Sequence, residues 1–309
     1  MSGPGRDSRF NVTLRERVVG SLLGGALGDA WGGPFEGCRG PVTFAIPPNP
    51  IISDDTELTL ATCRAILESR RVAPESVAEH FLRQHREQGI HGIGMSTLKA
   101  IRDLDAGAHW AVCGARGEYS AGNGAAMRIA PLAFLLDPDK GEDRMLIRDV
   151  SRITHHHDEA YAGALAIVAG IRSALSGEWP DRTTFLRAAA VMLPDCLVRD
   201  RIVEIEGMRG TPQEVSAKLG ASGYVVDSVP LALLCAESAR DVGLREVLER
   251  AIELGGDADT IASMAGQVAG AALGTDGIGA HIEQVGHANQ IIETTQEFAT
   301  FVCGETDWH

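Results

Sequence analysis

The sequence predicts an all-α protein, a single compact domain of many helices. Three observations carry this. Apolar residues recur at helical spacing in segment after segment. Alternating β-type runs are short and few. No linker and no tandem repeat of solenoid period divides the chain. Hydrophobic residues make up 44% and charged residues 23% of the 309, enough apolar material for a sizeable core. Aromatics are only 5% against 36 glycines, a composition suited to closely packed helices rather than to a ring-filled core.

Residues 1–12 are polar and contain Gly and Pro, which predicts a loose tail ahead of one domain over 13–309. A first helix is expected over Leu14–Trp31. It carries Gly20, Gly24, Gly25 and Gly28, which weaken an isolated helix by up to about 1 kcal/mol each. Burial and tertiary contact must therefore hold it. A proline-rich loop follows, Gly32–Pro50, containing Pro34-Phe35-Glu36-Gly37. Helices are then expected over Glu57–Glu68, Pro74–Arg86, Met95–Leu104, Ala125–Leu136, Glu159–Leu175, Thr183–Met192, Val226–Asp241, Leu244–Leu254, Thr260–Leu273 and Asn289–Val302.

The formal net charge is -14, which repels a phosphate backbone and argues against nucleic acid as a partner. The six cysteines form no CxxC pair and read as reduced thiols of a cytoplasmic protein. The first residues form no apolar signal segment, and no apolar run is long enough to cross a bilayer.

Two segments carry the chemistry. Ser53-Asp54-Asp55-Thr56 and Gly255-Gly256-Asp257-Ala258-Asp259-Thr260 each place two carboxylates and a hydroxyl just ahead of a helix. N-capping explains one side chain at each start, with Ser53 and Asp257 the natural caps. It does not explain two carboxylates plus a threonine at both. Hard cations take carboxylate and hydroxyl oxygens. Four aspartates converging on one cavity would repel one another, and two divalent cations would remove that repulsion. No His or Cys pair accompanies these segments, which argues against tetrahedral zinc.

The pair of segments resembles the signature of the ADP-ribosylglycohydrolase family, an early Ser/Thr-Asp-Asp-Thr with a late Gly-Gly-Asp-x-Asp-Thr. Gly24-Gly25-Ala26-Leu27-Gly28-Asp29-Ala30 with Pro34-Phe35-Glu36 resembles the family's first helix and glutamate loop. Ser120-Ala121-Gly122-Asn123-Gly124-Ala125-Ala126-Met127-Arg128 resembles its Gly-Asn-Gly loop. Thr154-His155 matches a Thr-His pair, and Ser222-Gly223-Tyr224-Val225-Val226-Asp227-Ser228 a further segment. The likeness runs from about Leu14 to Leu273. It implies a binuclear Mg²⁺ centre, or Mn²⁺, in a central cleft of an all-α fold. Ser53, Asp54, Asp55, Asp257, Asp259 and Thr260 would be the metal ligands, and Glu36, Asp55 and Asp257 the catalytic residues. Ser120, Gly122, Asn123, Gly124, His155 and Tyr224 would bind substrate, the glycine loop by presenting N–H groups to a diphosphate. His156 and His157 are left as structural.

Two departures bear on specificity. Some members carry an aromatic residue where this chain has Ala121, which leaves adenine stacking to Tyr119 or Trp110 or makes it weaker. Arginine-type members carry an acid before an Ile-Gly pair, where this chain has Gly92. The resemblance implies hydrolysis of the bond between ADP-ribose and a protein side chain, arginine or serine, or another acceptor. ADP-ribosylated protein or an ADP-ribose-containing small molecule is then the substrate. Two alternatives stand beside it. One is a non-catalytic ADP-ribose-binding module, or one that neutralises an ADP-ribosyltransferase toxin. The other is a dimetal phosphohydrolase.

Overall fold

The computed structural model describes residues 12–176 and 181–304. The tail expected over residues 1–12 lies, except for Val12, outside the described residues. What is described forms one helical domain around a central pair. Helix α1 (Leu14–Gly32) opens on a reciprocal cap: the Thr13 hydroxyl accepts from the Glu16 amide while the Glu16 carboxylate accepts from the Thr13 amide. It is buried on every side from Arg17 to Gly32. Its partner, α14 (Ala258–Leu273), is buried along its whole length. Helices apolar all round belong at the centre of a domain.

The pair runs antiparallel. A Cβ placed on Gly20 would lie 2.1 Å from the Gly274 carbonyl oxygen, one on Gly24 2.6 Å from that of Gly266, and one on Gly28 2.2 Å from that of Ala262. Glycines four residues apart thus form a stripe along which backbone meets backbone. The spacing puts them on one face, and nothing larger fits.

Other helices wrap this pair. Against α14 pack α7 (Asp158–Leu175), α11 (Val225–Ala236) and α13 (Leu244–Ile252). Against α1 packs α15 (Ala288–Gly304), which also meets α2 (Asp54–Ser69). The chain continues from α2 through α3 (Pro74–Glu87) to α4 (Met95–Asp105). Short α5 (Ala130–Ala133) and α6 (Gly141–Arg152) precede α7, and α8 (Arg182–Met192) and α9 (Leu197–Gly207) pair beyond it. Helices α10 (Pro212–Leu219) and α12 (Ala239–Val242) complete the order. One two-stranded parallel ladder joins β1 (Ala115–Arg116) to β2 (His155–His156).

The structure departs from the sequence reading in instructive places. The helix expected over Ala125–Leu136 is a 3₁₀ turn, Asn123–Ala125, followed by the single turn of α5. Pro131 is the cause: it has no N–H for the Met127 carbonyl, which instead accepts from Gln267 Nε2 at 2.5 Å. The helix expected over Val226–Asp241 divides into α11 and α12. Helices α6, α9 and α10 were not anticipated. Of these α10 carries a legible start, a Thr211–Glu214 capping box with Pro212 in its first turn.

The stripe makes a sharp prediction. Gly28→Ala puts a methyl group into the backbone of α14 and should lower unfolding stability by about 3 kcal/mol. Gly33→Ala, whose Cβ meets nothing within 4 Å, should stay within about 0.5 kcal/mol of the parent. Denaturant titration of both compares them; equal stabilities would refute the backbone contact.

Candidate metal centre and cleft

The antiparallel pair brings the last turn of α1 beside the first turn of α14, so that Asp29 and Asp259 meet. Asp29 is fully buried and is committed to the start of α2. Its carboxylate accepts from the Ser53 amide at 3.0 Å, the Thr56 amide at 3.1 Å and the Thr56 hydroxyl at 2.5 Å. A side chain of one helix therefore caps another. Ser53 caps α2 from within, its hydroxyl accepting from the Asp55 amide at 3.3 Å. Asp257 holds the N-cap position of α14 without making a cap bond. Its carboxylate turns instead to Asn123, whose Nδ2 donates to it at 2.5 Å. Capping thus explains Ser53 and leaves Asp257 free for other work.

The result is a cluster of carboxylates. Oxygens of Asp29, Asp55 and Asp259 lie within 4.8 Å of one another, as do oxygens of Glu36, Asp257 and Asp259. Asp259 belongs to both groups. Asp54 lines the cleft beside them, its backbone amide donating to the His91 carbonyl. The Thr260 hydroxyl donates to Asp55 Oδ2 at 3.1 Å. Asp55 Oδ1 is buried with no hydrogen-bond partner.

Burial sets the electrostatics. It pushes Asp29 up to about 6 against the hydrogen bonds it accepts. It raises Asp54 to about 8, with Asp29 adding to the effect, and Asp259 to about 8, with Asp257 adding. Asp55 goes well above the usual carboxylate range, by burial and then by Asp29 and Asp259. Asp257 is raised by burial and, further down, by Glu36. An orphaned oxygen among mutually repelling carboxylates, with hydroxyls alongside, is a donor set that fits hard divalent cations.

Glu36 follows a 3₁₀ turn, Gly33–Phe35, and is exposed at the cleft mouth. Its loop is pinned to the second acidic segment from both sides: the Gly37 amide donates to the Gly256 carbonyl at 2.7 Å, and the Gly256 amide to the Cys38 carbonyl at 2.8 Å. Gly256 sits at φ 67°, and a side chain there would collide with the Ala221 carbonyl. The opposite wall is the Gly122–Gly124 loop with His155 behind it. Gly92, Gly94, Met95, Ser96 and Thr97 form the lip, and the cavity measures about 250 Å³.

The fold therefore brings together Glu36, Asp54, Gly122, Asn123, Gly124, His155, Asp257, Asp259 and Thr260 around one cavity. Ser53 and Asp55 stand immediately behind. Two further candidates, Ser120 and Tyr224, do not line the cavity, although Tyr224 pairs by backbone with Gly122. The Ser120 hydroxyl is buried and donates to the Gly117 carbonyl at 2.6 Å. Tyr224 is 38% exposed at the N-cap of α11, and it is the adjoining Gly223 that lines the cleft. Asn123 reaches the site in a different capacity from that expected, since its amide is spent on Asp257 and Ser228. His157 caps α7 through its ring nitrogen. Asp29 was quoted in the glycine-rich motif but not singled out. An aspartate inside an otherwise apolar helix was the signal.

The chain is similar to known proteins along nearly its whole length. The sequence model of the ADP-ribosylglycohydrolase family matches residues 11–305. The ADP-ribosylhydrolase ARH3 of Danio rerio is 27% identical, over 86% of this chain and 85% of its own. The ADP-ribosylarginine hydrolase Tri1 of Pseudomonas putida is 28% identical, over 91% and 77%. A solved ADP-ribosylglycohydrolase-related protein complex superposes with a TM-score of 0.74 at 27% identity, covering 94% of this chain and 99% of its own.

The raised carboxylates fix the sign of a pH effect. Groups whose folded values lie above the usual range stabilise the fold below about pH 4 relative to higher pH, and that contribution is lost as pH rises towards 8. With chelator present, the melting temperature should fall between about pH 5 and 8. Added Mg²⁺ or Mn²⁺ should restore it most at the upper end, and much less in Asp55→Asn. A cation response equal at both pH values would remove the cluster as its cause.

Proposed function

Because this chain belongs to the ADP-ribosylglycohydrolase family, we propose that it is a hydrolase that frees ADP-ribose from a modified protein side chain, working with two divalent cations, Mg²⁺ or Mn²⁺. The observation that supports this best is the pair of carboxylate triads sharing Asp259, with Asp55 Oδ1 left unpartnered among them. Asp29, Asp55 and Asp259 would hold one ion, and Asp257 and Asp259 the other, with Glu36 at its edge. Ser53, Asp54 and Thr260 stand alongside. When bound, the ions supply Lewis acidity and cancel the repulsion among the carboxylates.

The chain's own residues account for the rest. Cleavage at an anomeric carbon passes through an oxocarbenium-like state, so a proton must be managed on each side of the bond. Glu36 is exposed while the aspartates of the triads are largely buried. It can therefore exchange protons with solvent, taking one from the attacking water and returning one to the leaving group. Asn123 fixes the Asp257 carboxylate by donating to it. The backbone of Gly122–Gly124 comes close to the cleft without side chains in the way.

Acceptor choice belongs to the lip. Residues 92–97 carry no charge, and by the family resemblance Gly92 takes the place where arginine-type members carry an acid. A neutral, hydroxyl-linked acceptor such as serine fits this lip better than arginine does. Both triads retain their full set of carboxylates, which favours turnover over binding alone.

ADP-ribose release from peptides modified on serine or arginine tests the reading, with Mg²⁺ and with chelator. Chelator-sensitive release is expected, faster from the serine-linked peptide. Asp257→Asn should cut turnover by more than about a hundredfold, since even groups that merely orient metal ligands contribute about 10–100-fold. Glu36→Ala should lower turnover more than ADP-ribose affinity. Release of phosphate instead of ADP-ribose would replace the proposal with a phosphohydrolase.

A further inference from the structure

Beneath the Gly122–Gly124 loop lies a buried polar chain that the metal site does not use. Arg128, in the turn after the loop, is wholly buried. Its Nη1 donates to the Gly124 carbonyl, and its Nη2 donates to the Thr154 hydroxyl at 2.8 Å and to the Val150 carbonyl at 3.4 Å. The guanidinium lies over the Phe81 ring, 4.9 Å from its centroid. Thr154 is buried too, and its hydroxyl oxygen stands 2.7 Å from His155 Nδ1. His155 is held in β2 by backbone pairing with Ala115. Its ring edge faces the cleft against the glycines: a Cβ on Gly122 would lie 3.3 Å from Nε2, and one on Gly124 2.8 Å from Cε1.

The proton count in this chain has one economical solution. A guanidinium can only donate, so the Thr154 oxygen is an acceptor towards Arg128. Its single proton then needs an acceptor of its own. Among the described residues the other group within hydrogen-bond distance of this hydroxyl is His155 Nδ1. Donation to Nδ1 satisfies that proton and makes Nδ1 an acceptor. The ring proton must then sit on Nε2. The reverse arrangement, Nδ1–H donating to Thr154, would strand the hydroxyl proton in a buried place, at the cost of a lost hydrogen bond.

We propose that Arg128 and Thr154 are positioning residues that lock His155 as its Nε2–H tautomer, a fixed hydrogen-bond donor aimed at a substrate oxygen in the cleft. Burial and the neighbouring cation of Arg128 also hold the imidazole neutral, pushing it down to about 3. His155 then cannot serve as the acid or base of the reaction at neutral pH. It offers one N–H of set direction, and Arg128 at the same time draws the Gly124 carbonyl away from the ligand. Phosphate and ribose oxygens of ADP-ribose are the acceptors this suits. That identification rests on the hydrolase reading; the tautomer does not.

The test reads the tautomer first. The full chain, ¹⁵N-labelled at histidine and kept in Mg²⁺, is examined at neutral pH by two-bond ¹H–¹⁵N correlation. His155 should show Nε2 protonated and Nδ1 bare. Thr154→Val should lose that signature and weaken ADP-ribose binding by about tenfold, the scale of one hydrogen bond. Thr154→Ser should recover both. A wild-type His155 protonated on Nδ1 or on both nitrogens overturns the proposal whether or not the valine variant folds. So does a folded valine variant with signature and affinity unchanged. Neither readout involves turnover. A chain with the expected signature that frees no ADP-ribose would count against the hydrolase reading alone.

Discussion

Everything in this molecule that bears on function hangs from one contact, the backbone-to-backbone approach of α1 and α14. Glycines at four-residue spacing let the two axes come close enough that carbonyl oxygens occupy the places of side chains. This is costly in isolation, because each glycine gives up more backbone freedom than any other residue. Burial of α14 throughout and of α1 from Arg17 onward compensates. The antiparallel sense then determines where the acids go. The C-terminal turn of α1 and the N-terminal turn of α14 end side by side, and Asp29 and Asp259 are drawn together before any ligand is considered.

A cluster of buried carboxylates would be untenable without something positive nearby. Part of the compensation is built from helix ends. The N-termini of α2 and α14 both open onto the cluster, so amide donors and the favourable ends of two dipoles face it. Asp29 shows how specific the arrangement is. Coming from the C-terminal turn of α1, where the dipole is unfavourable, it is rewarded by three donors at the start of α2. Yet burial still dominates and the acids stay raised. The fold thus gathers the carboxylates while leaving Asp55 Oδ1 unpartnered, a donor set that fits divalent cations.

How much of this was legible in sequence depends on how local the cause was. Ser53-Asp54-Asp55-Thr56 and Gly256-Asp257-Ala258-Asp259-Thr260 announce themselves because doubled carboxylates at helix starts exceed what capping requires. Their meeting across 200 residues was suggested by likeness to a family. Asp29 stayed hidden because its partners, the amides of Ser53 and Thr56, lie 24 and 27 residues ahead. No periodicity reports such a bond. Ser120 looked like a ligand from its place beside the glycine loop, but a three-residue turn had already claimed its hydroxyl for Gly117. The break at Pro131 was legible and was overridden by the apolar pattern around it. Asn123 was found for the loop it sits in, while its bond to Asp257 depends on α14, which no local pattern could supply.

The cleft has two unlike walls, and their difference orders a substrate. One wall is the acidic cluster, whose oxygens could hold divalent cations. The other holds a buried arginine, still a cation at neutral pH because burial lowers it only to about 9, beneath a loop of glycines and a neutral imidazole. ADP-ribose has the same polarity along its length, with an anionic diphosphate at its middle and an uncharged ribose at its reactive end. On the proposed reading, the diphosphate suits the wall of arginine, glycines and imidazole, and the ribose diol would suit the acidic wall with its cations bound. Asn123 bridges the two walls, its backbone in the loop and its amide on Asp257. In the proposed hydrolase, that orientation would bring the anomeric carbon to Glu36 at the cleft mouth.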